Sequence, residues 1–452
     1  MTAQQLFVKT VLVCALASAA VATWAQAPVM DLKQVYQAAL EQDATIRASR
    51  ATADSGRERL PQARAGLLPQ ISASAGRNNN NLDTTAPNIL GTPVTTNEKY
   101  LSDNKTLQLR QPLVNMQRWL QFQQAKSVVE EVEANLDRDL QNLVVRVAGV
   151  YFEALMADEQ LDLVLAQKKT YTALVDAAKK GLAAGSGTRT DIDDAQSRLD
   201  MAAAQELEAR QNQDLARRQL QLLVNQPVNQ IAKLNVAALQ LSAPMPANLD
   251  DWTRKAEQAS PEIRAMQARL DAARREVSKA QAGHLPTVDA VAQWSNSGSE
   301  NITRVNSRFE NKTIGLQLNI PLYSGGYVNS TIRQAVAEQT RAEESLEALR
   351  RDLGVRVHKE YRGVSEGVLR VRALEQAARS AEQMMKSTQM SLTAGSRTQL
   401  DVLNAQQQFT LALRDLAQAR LVYLLSKVRL ASLVGDDAMV SVEQVNGSLR
   451  VR

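Results

Sequence analysis

The chain has 452 residues, 44% hydrophobic but only 4% aromatic, with 19 Gly, 12 Pro and a single Cys. One Cys excludes a disulfide scaffold, His284 and His358 are too few for a His/Cys metal centre, and the scarcity of rings argues against ordinary globular cores. Lys and Arg total 53 against 48 Asp and Glu, a net +5, but they are interspersed with acids, as in Arg57-Glu58-Arg59, so neither nucleic acid nor a cofactor is expected.

Residues 1–27 read as a secretory signal peptide, with cleavage placed only approximately. Lys9 is the one charge before Asp31, an apolar stretch runs over 11–22, and Ala25 and Ala27 offer small-residue cleavage positions. The stretch is shorter than the 18 or more residues of a spanning helix. Cys14 lies inside it, too early for lipid attachment, so the exported chain is Cys-free. No later helix is expected to span a membrane: even 411–430 contains Arg414, Asp415, Arg420 and Lys427. Any insertion must be by strands.

The remainder is a tandem repeat, 28–243 and 244–452. An offset of 217 aligns Ile46-Arg47-Ala48 with Ile263-Arg264-Ala265, and Ala65-Gly66-Leu67-Leu68-Pro69 with Ala282-Gly283-His284-Leu285-Pro286. An offset of 209 aligns Leu107-Gln108-Leu109 with Leu316-Gln317-Leu318, and 210 aligns Ala184-Gly185-Ser186, Thr188 and Asp191 with Ala394-Gly395-Ser396, Thr398 and Asp401.

Each half reads as helix, strand, polar loop, strand, long helix, turn, helix. The first helices, about 32–65 and 249–282, end in Ala-Gly-x-Leu-Pro, the expected helix stop. Strands are expected at about 70–78, 105–111, 287–294 and 313–320, with polar loops over 79–104 and 295–311. Ile314, Leu316, Leu318 and Ile320 alternate with polar residues, which puts apolar side chains on one face. Long helices follow over about 117–181 and 328–393, where Leu140, Val144, Val147, Tyr151 and Leu155 form a coiled-coil seam. Helices over about 188–224 and 398–434 complete the halves. At 1.5 Å per residue a long helix spans about 98 Å, matched by two shorter ones stacked end to end. The fold class is mainly α with a small β part, a duplicated long-helix array carrying four strands.

Four strands cannot close a barrel with a lumen, and open edges cannot face lipid. Three chains would supply twelve. Trp294, Phe309 and Tyr100 are the aromatics available for its interfaces.

The duplicated layout, the Leu-Pro and Pro-Leu strand borders and the turn Ala394-Gly395-Ser396-Arg397-Thr398-Gln399-Leu400-Asp401-Val402-Leu403-Asn404 resemble the TolC family of outer-membrane efflux ducts over the whole mature chain. The resemblance implies a homotrimer in outer-membrane lipid, with a twelve-stranded β-barrel and an α-helical barrel through the periplasm. It implies a periplasmic adaptor and an inner-membrane transporter, of ABC or RND type, as partners. It places a periplasmic entrance constriction at Asp401 and Asn404, with Asp191 and Asp194 at the equivalent places. It also implies a gate latch from Arg397 to Thr190 and Asp191, and adaptor docking at Gly185, Ser186, Gly395 and Ser396. A family contact from a Tyr three residues before the Gly is missing, because Leu392 stands there, leaving Arg189 as another cation for the gate. By spacing alone, the acids and Arg are equally helix caps and solvated surface.

The expected function is a passive export duct for drugs or secreted proteins, driven by the partner pump. No nucleophile–base pair or metal cluster supports an enzyme. The other reading is a periplasmic coiled-coil adaptor or scaffold without a barrel.

Overall fold

The computed structural model describes residues 29–185, 187–300 and 307–450; the expected signal segment lies outside the described residues. The elements in chain order are α1 (Leu32–Gln42), α2 (Ala44–Arg57), α3 (Arg59–Ala65), β1 (Gln70–Pro87), β2 (Pro93–Val114), α4 (Met116–Ala183) and α5 (Arg189–Val224). They continue with β3 (Lys233–Leu234), α6 (Leu249–Ala259), α7 (Pro261–Gln281), β4 (Thr287–Ser299), β5 (Ser307–Asn319), α8 (Tyr327–Thr393), α9 (Gln399–Leu433), α10 (Ala438–Asn446) and β6 (Leu449–Arg450). The short strands β3 and β6, which pair with each other, and α10 have no counterpart in the sequence expectation.

The two pre-strand helices are broken, not continuous. In the first half the break falls at Asp43, whose extended backbone lets its carboxylate accept from the Ile46 N–H at 3.0 Å and from the Thr45 hydroxyl. In the second half it falls at Ser260, before Pro261, which has no N–H to continue the ladder. The offset of 217 makes Asp43 and Ser260 equivalent. Burial pushes the Asp43 carboxyl up, but the Thr45 hydroxyl, the Ile46 N–H and Arg146, 2.8 Å away, outweigh it and hold it below its ordinary value.

The expected polar loop over 79–104 is mostly strand. The ladder of β1 and β2 runs from Gln70↔Arg110 to Pro87↔Pro93. Polar cross-strand bonds replace apolar alternation: Asn80 donates to Ser102 at 2.8 Å, Asn97 to Asp83 at 2.5 Å, and Thr85 meets Thr95 at 2.7 Å. The hairpin closes where the Asn88 side chain accepts from the Leu90 and Thr92 N–H groups and Gly91 takes φ +77°. The expected loop over 295–311 likewise shrinks, since β4 reaches Ser299 and β5 starts at Ser307.

The chain divides into two compact units: residues 1–47, 139–256 and 355–452, and residues 48–138 and 257–354. Each draws matched segments from both repeats. In the first unit Val144, Val147, Tyr151 and Leu155 of α4 are buried, as are Val364, Val368 and Val371 of α8. By length and composition α4 is apolar enough over 18 residues to cross a membrane, but those side chains are packed within this unit. Tyr151 donates to the Ala232 carbonyl at 2.9 Å, and its repeat equivalent Tyr361 donates to that of Ala247 at 2.5 Å, so both tie down the segment between the repeats.

Close approach of α8 and α9 in this unit depends on two glycines. A Cβ at Gly363 would lie 2.5 Å from the Ser426 Oγ, and one at Gly367 would lie 3.2 Å from Tyr423 Cδ2.

The second unit holds the four-stranded antiparallel sheet, ordered β1-β2-β4-β5. Its register puts Ile71, Ala73, Leu107, Leu109, Ala290, Ala292, Trp294, Ile314, Leu316 and Leu318 on one face. Ser72, Ser74, Thr106, Gln108, Gln293, Ser295, Thr313 and Gln317 occupy the other. Of the aromatics expected at membrane interfaces, Trp294 lies on the apolar face, whereas Phe309 and Tyr100 lie on the polar one. Exposed rings not anticipated there, Trp119, Tyr323 and Tyr327, stand just past β2 and β5.

Gly363→Ala is expected to destabilise the folded chain by about 1–3 kcal/mol through overpacking. Gly149→Ala, where a Cβ meets open space, should stabilise by roughly 0.5–1 kcal/mol. Thermal unfolding in detergent measures both.

Candidate functional site: the two interhelical turns

The motif Ala-Gly-Ser-x-Thr-x-x-Asp joins a helix stop directly to a helix start. After α8, Gly395 adopts φ +75°; its N–H donates to the Leu392 carbonyl, and the Ser396 N–H donates to that of Ser391, both at 3.0 Å. That pair of bonds is the Schellman closure. Thr398 then caps α9. Its hydroxyl accepts from the Asp401 N–H at 3.2 Å, and the Asp401 carboxylate accepts from the Thr398 N–H and hydroxyl, each at 2.9 Å. The first-repeat turn repeats the device, with Gly185 at φ +75° and Thr188 boxed with Asp191 at 2.9, 2.7 and 3.2 Å. Ser186 lies outside the described residues.

The turns are exposed, yet helices behind them are locked. Tyr171, Leu174, Ala202, Val402 and Leu403 form a buried cluster, with Leu199 and Leu392 packed against it. Leu392 therefore joins the apolar packing at the position where the resembling family carries a Tyr.

The expected site residues fall into three groups. Asp401 and Asp191 are helix-capping carboxylates. Arg397 lies 3.8 Å from the other Asp401 oxygen; among the described residues it makes no bond to Thr190 or Asp191 of its own chain. Asp194 and Thr190 are exposed on the first-repeat side. Asn404 is engaged: Arg198 donates to its Oδ1 at 2.9 Å and to Gln407 Oε1 at 3.1 Å. Among the described residues, Arg198 is the cation that links the two repeats here. Sequence spacing missed it, because its partners lie more than 200 residues away.

The backbone N–H and hydroxyl of Thr398, with Arg397 adding its charge, hold the Asp401 carboxyl below its ordinary value. Among the described residues there is no cluster of His, Cys, Asp and Glu that could hold a metal. The arrangement can stiffen a turn and present charge; it offers no nucleophile with a base.

Comparison with known proteins decides the assignment. The outer membrane efflux protein family matches residues 35–226 and 252–436. The chain belongs to that family. It is similar to the protease secretion protein PrtF of Dickeya chrysanthemi, 31% identical over 90% of this chain and 89% of that one. It is also similar to the alkaline protease secretion protein AprF of Pseudomonas aeruginosa, 33% identical over 92% and 88%. TolC of Escherichia coli is 29% identical over 90% and 82%. The solved structure of CusC superposes with a TM-score of 0.77 at 18% identity, covering 90% of this chain and 92% of that one. Membership makes this chain an outer-membrane channel protein of an export system, with helices extending into the periplasm. The family is one of transport proteins, not enzymes.

Because folding lowers the Asp401 pKa, its capping contribution is present above the unfolded carboxylate range and is lost as pH falls through the depressed folded value. Hydrogen exchange of the first-turn amides of α9, normalised for intrinsic rate, should accelerate below about pH 4. Asp401→Asn should remove that pH dependence. Arg198→Ala should loosen the amides around Asn404 and Gln407 while leaving both capping boxes protected.

Proposed function

We propose that three copies of this chain close a twelve-stranded barrel in the outer membrane, continued by their helices as a passive duct for secreted protein. The observation that carries this reading is the open sheet. Its edges, β1 and β5, lack further partners among the described residues, while Ile314, Leu316 and Leu318 are exposed on one face. Lipid tolerates that face but not bare edges. Pairing β5 of one copy with β1 of the next removes all edges, puts the apolar face on lipid and turns the polar face inward. A soluble adaptor or scaffold gains nothing from such a sheet.

The drive comes from an inner-membrane transporter through a periplasmic adaptor, which docks at the turns around Gly185, Ser186, Gly395 and Ser396. PrtF and AprF, both named for protease secretion, support polypeptide cargo over drug efflux, with a pump of ABC or RND type. The entrance is narrowed by Asp401 and Asn404 with Asp191 and Asp194. The latch runs from Arg397 to Thr190 and Asp191 of an adjoining copy, since within one chain Arg397 faces Asp401.

Purified protein should run as a heat-modifiable trimer and conduct in planar bilayers, with block by multivalent cations from the periplasmic side. Asp401→Ala should weaken that block; an unchanged block removes Asp401 from the entrance. Arg397→Ser should raise conductance, modestly because Leu392 replaces one closing contact. Failure to recover any trimer from outer membranes would sink the barrel reading.

A further inference from the structure

Between the levels of Asp289 and Ser299 the polar face of the sheet is almost free of charge; beyond them it carries Glu98, paired with Leu82. From Asp289 to Ser299 the register leaves Ser, Thr, Asn, Gln, Gly, Val and Phe309 on it. The other charged residues at these levels, Arg77, Asp103, Lys105, Arg308, Glu310 and Lys312, fall on the apolar side, most of them beyond its apolar stretch. The exception is one pair. Arg110 of β2 stands opposite Val291, and Asp289 of β4 lies two residues along on the same face. The guanidinium donates through Nε at 3.1 Å and Nη2 at 2.5 Å to one carboxylate oxygen, Asp289 Oδ2.

The two partners are placed unequally. The Asp289 side chain is only 6% exposed, and its Oδ1 is buried with no hydrogen-bond partner. The Arg110 side chain is 48% exposed. Both lie at the helix-proximal end of their strands, beside the bulge between Pro112 and Val114. A buried carboxylate thus fixes a half-exposed cation where the polar face begins.

We propose that Arg110 and Asp289 form the charge-selecting collar of the barrel. Three guanidiniums, each anchored by a carboxylate set back in the wall, are the charged groups that ions and polypeptide meet on entering the strand section. The pairing keeps each station neutral in sum, so the duct passes chains of either sign without a strong binding site. The arginine, as the more exposed partner, sets the residual preference. This rests on the trimeric-barrel reading, because only closure turns the polar face into a lumen.

The test is the reversal potential of the trimer under a salt gradient. Asp289→Asn should shift it toward anions and Arg110→Gln toward cations. The double variant should return close to wild type. Since Asp289→Asn could impair folding, a second route starts from Arg110→Cys in the exported chain, whose only natural Cys, Cys14, lies in the expected signal segment. Within one folded channel, a cationic methanethiosulfonate should move the reversal potential toward wild type, and an anionic one should move it further toward cations. Conducting trimers whose reversal potential ignores all of these changes would overturn the collar. Absence of conducting trimers in the wild type would overturn the barrel reading instead.

Discussion

Backbone N–H and C=O groups need partners wherever water is excluded, and this requirement shapes the whole chain. Long helices such as α4 and α8 meet it internally for 68 and 67 residues. The turn after α8 meets it with a Schellman closure followed within three residues by a capping box. The four-stranded sheet leaves β1 and β5 as edges among the described residues. A row of backbone hydrogen bonds there is unfinished, and closure by further copies is proposed to complete it.

Much of this was legible in the sequence because it is written in periodicity and punctuation. The duplication, the long helices and the apolar alternation of β5 each leave a local mark of period 3.5, 3.6 or 2. The extension of β1 and β2 left none, since Asn, Thr and Ser on both faces give no alternation; their ladder rests on cross-strand polar pairs that only register reveals. The break at Ser260 could have been read from Pro261. The break at Asp43 could not, because nothing local distinguishes a capping Asp from a surface one. At the turns, residue types and spacing indicated caps and solvated surface, the gate came only from the family resemblance, and the geometry shows the cap in full. The Arg198 bridge to Asn404 was invisible because it joins the two repeats.

Capping and gating are compatible demands on the same residues. A latch has to hold its charges at a defined place, and an exposed loop side chain loses several rotors' worth of entropy in doing so. Asp401 has already given up that freedom: one oxygen is bound by Thr398, leaving the other near Arg397. The cap thus preorganises the carboxylate for any second partner, and loss of the Arg397 contact would leave the turn folded.

The two repeats share a scaffold and differ where chemistry is asked of them. At the offset of 210, Gly187 faces Arg397, Arg189 faces Gln399, Asp194 faces Asn404 and Arg198 faces Gln408. Each turn thus carries charges the other lacks, while Gly185 and Gly395, the Thr caps and the capping acids are common to both. Identical turns would repel like with like at every contact between repeats. Dividing the cations and acids between them allows Arg198 of one to hold Asn404 of the other. It leaves Arg397 available outside its own pair, because its Asp401 contact at 3.8 Å is long and half-exposed and therefore worth little. The pair at Arg110 and Asp289 is the opposite of that contact: two guanidinium N–H groups converge on one oxygen of a carboxylate only 6% exposed, which fixes the half-exposed arginine in place.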